Sequence, residues 1–305
     1  MIPIDADWLR RNPLPDFPAE TNKNDRGRVL LVGGSTRVPG ALRLTGEAAL
    51  RAGAGKLQMA TVADAALALG IMVPEAAVMA LPQAEDGEIA PGPCSDALEQ
   101  SLSACDTLVL GPGMAANDAG PGLVSNLLGL LAVAGAAVLD AAAINACREC
   151  AHAVRDRSAP VVLTPHPGEM AALTGRAAEW IVDNLAEIAS EVAADLDAVI
   201  VLKSGRTVVC APGAEPLLYR GGGPALATGG SGDVLAGILG GLLARGIDPV
   251  AASGWAVWAH GEAGRALTFR LGGPGLLARE LLAELPRLLC SKGDGREENG
   301  AAGED

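Results

Sequence analysis

Three short stretches carry the side chains best suited to chemistry. The first is "ATGGSGDVLAGILGGLL" (227–243). After Asp233, apolar residues at Leu235, Ile238, Leu239, Leu242 and Leu243 recur at helical spacing, so a helix is predicted that opens on Gly229, Gly230, Ser231 and Gly232. A glycine-rich entry lets backbone N–H groups converge, and a helix N-terminus adds its own N–H groups and dipole, which makes an anion site. A carboxylate there would repel a bound phosphate. Its presence points to work beyond binding: taking the proton from a hydroxyl that attacks a phosphoryl group. The same residue would also serve as an ordinary helix N-cap, and the stretch alone leaves both readings open. The second stretch is "TPHPGE" (164–169), where His166 is held rigidly between two prolines at the end of an apolar run. The third is "KSGRT" (203–207), where Lys203 leaves a buried strand and reaches a phosphate as a point charge, or ends that strand in solvent.

The elements that must position these residues are short and abrupt. "RVLLVGGS" (28–35), "KLQMAT" (56–61), "TLVLGPG" (107–113), "AAVLDA" (136–141), "PVVLTPHPGE" (160–169) and "AVIVLKSG" (198–205) are apolar runs that end in Gly, Pro or a polar residue. Unbroken Val/Leu runs suit strands buried on both faces of a parallel sheet. Helical patterns lie between them, at 41–55, 177–196 and 248–267. Residues 121–139 read as a helix, a turn near Gly135 and a buried strand rather than a membrane span. "RTVVCAPGAEPLLYRGGG" (206–223) reads as a hairpin turning at "APGAEP". Strand alternating with helix predicts a three-layer α/β fold with ligands at the C-terminal strand ends, where the polar motifs sit. No linker divides the chain, so one domain is expected over 1–290. The charged, Gly-rich tail 291–305 is expected to be disordered.

Composition narrows the function. Half of the 305 residues are hydrophobic but only seven are Phe, Trp or Tyr, so the core must be built from Ala, Val, Leu and Ile. The net charge of −13 argues against a nucleic-acid partner, although converging N–H groups and one lysine can still hold an anionic nucleotide. The N-terminus lacks the basic start and apolar run of a signal peptide. Of the six cysteines, only Cys147 and Cys150 are close, and no second Cys pair or His pair completes a zinc site. Ordinary thiols in a reducing cytoplasm are expected.

Five stretches occur together and in order: "NKNDRGRVLLVGGSTRVPGALRLTGEAALRAGAG" (22–55), "LVLGPGM" (108–114), "VLTPHPGEMAALTG" (162–175), "VLKSGRTVV" (201–209) and "GGPALATGGSGDVLAG" (222–237). The set resembles the ADP- or ATP-dependent NAD(P)H-hydrate dehydratases, the YjeF C-terminal domain family of the ribokinase-like superfamily, over roughly residues 20–285. The resemblance implies a ribokinase-like α/β/α fold with a mostly parallel central sheet. It implies repair of NADH or NADPH hydrated at C6: the C6 hydroxyl of the S-epimer is phosphorylated by ADP or ATP, and phosphate then leaves. In that scheme Asp233 is the base, and Gly230, Ser231 and Gly232 form the anion hole. Ala41, Gly113, His166 and Asp233 meet the hydrated cofactor. Lys203, Ser204, Gly205, Arg206, Thr207 and Gly232 hold the AMP part of the nucleotide. Glu169 orients Mg²⁺ or its waters, or caps the next helix. Lys23 and Arg28, with Gly33, Gly34 and Ser35 after the first strand, become pocket structure. The resemblance also implies a homotetramer, and an epimerase supplied on a separate chain.

Two departures stand out. The usual Asn-rich approach to the catalytic loop reads "YRGGGP" (219–224) here, and the usual L-D-A-D-A-L reads "LDAAAIN" (139–145), which keeps Asp140 and puts Ala142 where a second acid is usual. Two other readings fit the same motifs. One is a ribokinase-like kinase for a vitamin precursor, which would accumulate a phosphate ester. The other is a catalytically silent nucleotide-binding protein, which would bind without turnover.

Overall fold

A computed structural model of the chain describes residues 1–17, 20–92, 94–117, 120–133 and 135–290; the expected disordered tail at 291–305 lies outside the described residues. The apolar runs form strands of one sheet. These are β1 (Ile2–Pro3), β2 (Arg28–Val32), β3 (Lys56–Val62), β4 (Ala76–Leu81), β5 (Thr107–Leu110), β6 (Ala136–Leu139), β7 (Val161–Leu163), β8 (Val199–Leu202), β9 (Thr207–Cys210) and β10 (Leu217–Tyr219). Their spatial order is β1-β10-β9-β8-β7-β6-β5-β2-β3-β4. From β8 to β4 every pairing is parallel; β9 is antiparallel to both its neighbours, forming the expected hairpin with β10. The chain builds outward from β2 to β4, then returns to lay β5 on the other side of β2. That reversal opens a crevice above the C-terminal ends of β2 and β5.

The helices are α1 (Ala6–Arg11), α2 (Ala41–Arg51), α3 (Ala63–Met72), α4 (Asp96–Ala104), α5 (Gly120–Leu130), α6 (Ala142–Arg155), α7 (Pro167–Thr174), α8 (Ala178–Asp183), α9 (Leu185–Leu196), α10 (Ser231–Ala244), α11 (Pro249–Leu271) and α12 (Ala278–Leu288). Strand side chains alternate between two cores. Val29, Leu31, Val109, Val138 and Val162 pack with α2, α10, α11 and α12, while Leu30, Leu108, Leu110, Leu139 and Leu163 pack with α4, α5, α6 and α9. This is the α/β fold with a mostly parallel sheet. Among the described residues no helix is long and apolar enough to cross a membrane.

Two helices differ from the pattern read in the sequence. The 177–196 stretch breaks at Asn184 (φ −123°), whose amide donates to the Trp180 carbonyl at 2.7 Å and ends α8 before α9 begins. And α10 is not striped: Ser231 and every residue from Val234 to Ala244 are buried. Its glycines make that possible. A Cβ at Gly237 would lie 2.2 Å from the Thr45 carbonyl oxygen of α2, and one at Gly241 would lie 2.5 Å from that of Ala49. α10 is thus wedged between α2 and the sheet with backbone against backbone, which fixes where its N-terminus points.

Candidate active site

The polar motifs meet above the C-terminal ends of β6, β7 and β8. Each strand ends on one of them: Asp140 follows β6, Thr164 and His166 follow β7, and Lys203 follows β8. The order β8-β7-β6 makes them neighbours although 63 residues separate Asp140 from Lys203. Asp140 is 3 % exposed, and one of its oxygens accepts from both Thr164 Oγ1 (2.6 Å) and Lys203 Nζ (2.8 Å). Glu169 Oε2 lies 3.9 Å from the same ammonium. Burial alone would lower the Lys203 pKa, but the carboxylates of Asp140, Glu169 and Asp233 outweigh it and hold the ammonium above its ordinary value. The lysine is therefore a fixed cation, not a solvated strand end.

Gly230 (φ +88°) is the N-cap of α10 in the left-handed region, a conformation that glycine reaches without a Cβ clash. It turns the chain so that the first turn of α10 meets Lys203: the ammonium lies 3.4 Å from where a Cβ of Gly232 would stand. The N–H groups of Gly232 and Asp233 fall in that first turn, where the helix supplies no acceptor. The Ser231 N–H is directed back to the Thr228 carbonyl at 3.3 Å. Asp233 is not the N-cap: Gly230 holds that position, and Asp233 is the third residue of α10. Burial first, then the charge of Asp140, raises its pKa to about 7, with Lys203 pulling the other way. A carboxyl poised at that value exchanges a proton readily near neutral pH.

His166 and Glu169 form a reciprocal cap on α7. His166 Nδ1 accepts from the N–H groups of Gly168 (2.9 Å) and Glu169 (3.2 Å), while Glu169 Oε2 accepts the His166 N–H at 2.8 Å. With Nδ1 accepting, the ring proton of neutral His166 sits on Nε2. Beside the crevice, Gly34 N–H donates to the Pro112 carbonyl (2.8 Å) and Ser35 Oγ donates to the Gly113 carbonyl (2.9 Å). This brings the Gly113 backbone against Ala41: a Cβ at Gly113 would lie 2.7 Å from that of Ala41.

A cavity of about 720 Å³ is lined by Gly232, Lys203, Ser204, Gly205 and Thr207 together with Tyr219, Leu226 and Val257. His166 lines it and also lines a second hollow of about 320 Å³ with Met114, Ala142, Asn145 and Glu169. His166, Lys203, Ser204, Gly205, Thr207 and Gly232 share the large cavity, Ala41 and Gly113 sit at the β2–β5 crevice, and Arg206, Arg28 and Lys23 join neither. Arg206 is exposed and is absent from the cavity wall. Arg28 pairs with Asp106 (2.8 Å) at the N-terminal end of β2, the opposite edge of the sheet from the site, and the Lys23 carbonyl packs there under Gly55. These two are structural at that edge and not part of a pocket. Three participants escaped sequence reasoning. Asp140 stands in the sequence only as the acid kept in "LDAAAIN", Thr164 gives no signal beyond its motif, and His260 sits mid-helix in α11 yet lines the large cavity. Cys147 and Cys150 are buried, each donating its thiol to a helix carbonyl at 3.2 Å.

The family model of the NAD(P)H-hydrate dehydratases matches residues 29–287. The chain belongs to that family. It is 44 % identical over 286 residues to an ADP-dependent (S)-NAD(P)H-hydrate dehydratase from Xanthomonas campestris, covering 94 % of this chain and 95 % of the relative. A bifunctional NAD(P)H-hydrate repair enzyme from Moorella thermoacetica is 37 % identical over 94 % of this chain, which spans 53 % of that longer protein. Among solved structures, the ADP/ATP-dependent NAD(P)H-hydrate dehydratase from Bacillus subtilis, co-crystallised with ATP and Mg²⁺, superposes with a TM-score of 0.79 at 32 % identity, covering 94 % of this chain and 97 % of that one. As a dehydratase-family chain, it sets Lys203 and Gly232 on the wall of its large cavity, Asp233 next to Gly232 in the first turn of α10, and Gly113 and Ala41 at the β2–β5 crevice.

Proposed function

We propose that this protein restores the S-epimer of hydrated NADH or NADPH, using ADP or ATP as phosphoryl donor. The observation that carries the reading is the Asp233 carboxyl, raised to about 7 at the glycine-lined head of α10, beside a fixed ammonium and a cavity of nucleotide size. The nucleotide lies along Lys203, Ser204, Gly205 and Thr207, with its terminal phosphate at Gly232 and Lys203. Arg206 is exposed and stands outside this wall. The hydrated cofactor lies over Ala41 and Gly113 with His166 against it, its C6 hydroxyl turned to Asp233.

The chemistry then runs in two stages. Asp233 takes the proton of the C6 hydroxyl as that oxygen attacks the terminal phosphorus, and the bond from phosphorus to the bridging oxygen breaks to release AMP or ADP. Hydroxide is a poor leaving group and phosphate a good one. The N1 lone pair expels the phosphate from C6, and loss of a C5 proton restores the C5–C6 double bond. Developing negative charge on the phosphoryl oxygens is met by Lys203 and by the N–H groups of Gly230 and Gly232, donors set in place before the reaction.

Among the described residues no group of three or more His, Cys, Asp or Glu side chains is arranged to hold a metal. Glu169 and Asp140 are already engaged by the α7 cap and by Lys203. This set fits a Mg²⁺ ion carried by nucleotide phosphates and water, with Glu169 reaching its waters, as Mg²⁺ sites with phosphates commonly do. Bound there, the ion would neutralise phosphate charge. We further propose a cytoplasmic homotetramer that depends on a separate epimerase for the other stereoisomer.

The test is direct. Purified protein, hydrated NADH, Mg²⁺ and either ADP or ATP should return dihydronicotinamide absorbance, with inorganic phosphate released in equal amount. Restoration at the same rate without nucleotide would overturn the reading, and an accumulating phosphate ester would turn it into a kinase.

A further inference from the structure

Ser231 stands between the two glycines of the catalytic loop, and its side chain is engaged. Its hydroxyl lies 2.8 Å from His260 Nε2, and the two residues line the large cavity together, next to Gly232. Ser231 is 5 % exposed, so the contact is not a surface accident. The serine's backbone N–H already points to the Thr228 carbonyl. What Ser231 has left to offer an anion is therefore its side chain.

The proton inventory of the pair decides what that side chain can do. Burial pushes the His260 pKa down to about 4, a hydrogen bond to the Ser231 backbone opposes this, and the Lys203 charge lowers it further. At neutral pH the ring is neutral and carries one N–H. A phosphate oxygen in the cavity is an acceptor and brings no proton. The roles in the 2.8 Å contact follow the tautomer: with the ring proton on Nε2, His260 donates to Ser231 Oγ and the serine O–H is left to donate into the cavity. A chain of donors polarised in one direction strengthens its last member.

We propose that the Ser231 hydroxyl donates a hydrogen bond to the phosphoryl group in transfer, and that His260 is the residue that positions it. The proposal rests on the dehydratase reading of the site. It adds a side-chain donor to an anion hole otherwise made of backbone N–H groups. His260 acts from α11, so this helix, which packs against α10, takes part in setting the loop.

The experiment compares four single variants and one double variant with the wild-type protein, each first shown to be folded by circular dichroism and thermal melting. Ser231→Ala should lower kcat by about 10²-fold, the usual loss for one oxyanion donor, with the KM for ATP changed only a few-fold. Ser231→Thr keeps the hydroxyl and should retain most of the activity. His260→Phe removes the ring N–H and should approach the Ser231→Ala rate, whereas His260→Gln, whose amide can donate, should recover part of it. The double variant Ser231→Ala/His260→Phe should be no slower than Ser231→Ala alone, because both changes remove one device. A kcat for Ser231→Ala within threefold of wild type, or losses that multiply in the double variant, overturns the proposal and leaves the pair a packing contact. If His260→Phe does not fold, the Ser231→Ala and Ser231→Thr pair and His260→Gln still decide. If the wild-type protein leaves hydrated NADH unrepaired, the dehydratase reading falls by itself. The hydroxyl is then judged by the ³¹P resonance of the terminal phosphate of bound ATP, which Ser231→Ala should move and Ser231→Thr should not. No movement in either sinks the proposal.

Discussion

Replacing Asp233 by Asn should produce a protein that is both inactive and more stable, and the pH at which the extra stability appears is set by the site. The Asp233 pKa is raised from 3.8 to about 7, chiefly because burial penalises the charged form and Asp140 repels it. Between those two values the folded state binds a proton that the unfolded chain releases, so this group destabilises the fold increasingly as pH rises. The cost is absent below 3.8, grows through the window, and is complete above about 7. At about 1.4 kcal/mol per unit, it amounts to about 1.6 kcal/mol at pH 5 and on the order of 4 kcal/mol at pH 8. Asparagine has nearly the same shape and no ionisation. Asp233→Asn should therefore unfold at higher urea than wild type at pH 8, by up to that amount, with the gap narrowing by more than half at pH 5. Turnover should fall by about 10²–10⁴-fold through loss of the base. Paired urea titrations at the two pH values and an absorbance assay for restored NADH measure both effects. A variant less stable than wild type at pH 8 would refute the reasoning, because it would mean that the ionised carboxylate is held by favourable contacts instead of being trapped without them. Near-normal turnover would refute the assignment of the base.

Three further outcomes follow from the same charges and contacts. The acid limb of kcat/KM should fall near pH 7 in the wild type, and Lys203→Met should move it upward, because Lys203 is the charge that lowers the Asp233 pKa; an unmoved limb in a steady-state pH series would detach Asp233 from that lysine. Lys203→Ala should weaken ATP or ADP binding about tenfold to 150-fold by calorimetry and destabilise the fold by roughly 3–5 kcal/mol, since it leaves Asp140, 3 % exposed, without its cation. Gly237→Ala should cost about 1–3 kcal/mol or more in urea denaturation, as its Cβ would stand 2.2 Å from the Thr45 carbonyl oxygen and force α10 away from α2.

Much of this architecture was readable because its strands are buried on both faces. Val and Leu runs such as 28–32 and 107–110 leave no alternation to confuse, and each ends at the glycine or proline that breaks it. The hairpin of β9 and β10 was equally plain from its turn residues. What stayed hidden were consequences of packing. The apolar stripe of Leu235, Ile238, Leu239, Leu242 and Leu243 shows only part of the buried surface of α10, because Gly237, Gly240 and Gly241 between them are the contact surface for α2 and β5. Within the site, Asp233, His166 and Lys203 lie in motifs rich in Gly and Pro, which mark a constrained backbone. Asp140 lies in an ordinary "LDAAAIN", and only the sheet order, which sets β6 two strands from β8, reveals its partner. His260 is one polar residue in a helix of small and apolar ones, with nothing local to separate it from a packed core histidine.

The two departures from the usual family pattern acquire a physical meaning in this setting. Ala142 is the first residue of α6, two positions after Asp140, and it lines the smaller hollow beside His166 and Glu169. Asp140, Glu169 and Asp233 already surround a single ammonium there. An acid at 142 would place a further negative charge on the hollow lined by His166 and Glu169, and alanine leaves that wall uncharged. The "YRGGGP" run has a similar logic. Tyr219 occupies the space that side chains at Gly221 and Gly261 would fill: a Cβ at Gly221 would stand 2.1 Å from its hydroxyl oxygen, and one at Gly261 2.2 Å from a ring carbon. The Tyr219 hydroxyl is bonded to Glu262 at 3.0 Å, and Glu262 is in turn paired with Arg265. Where the family usually presents amides, this chain thus lines its large cavity with a ring whose position is fixed by two glycines and an acid. The same cavity carries Leu226, Leu235 and Val257 as apolar wall and Lys203 as its cation.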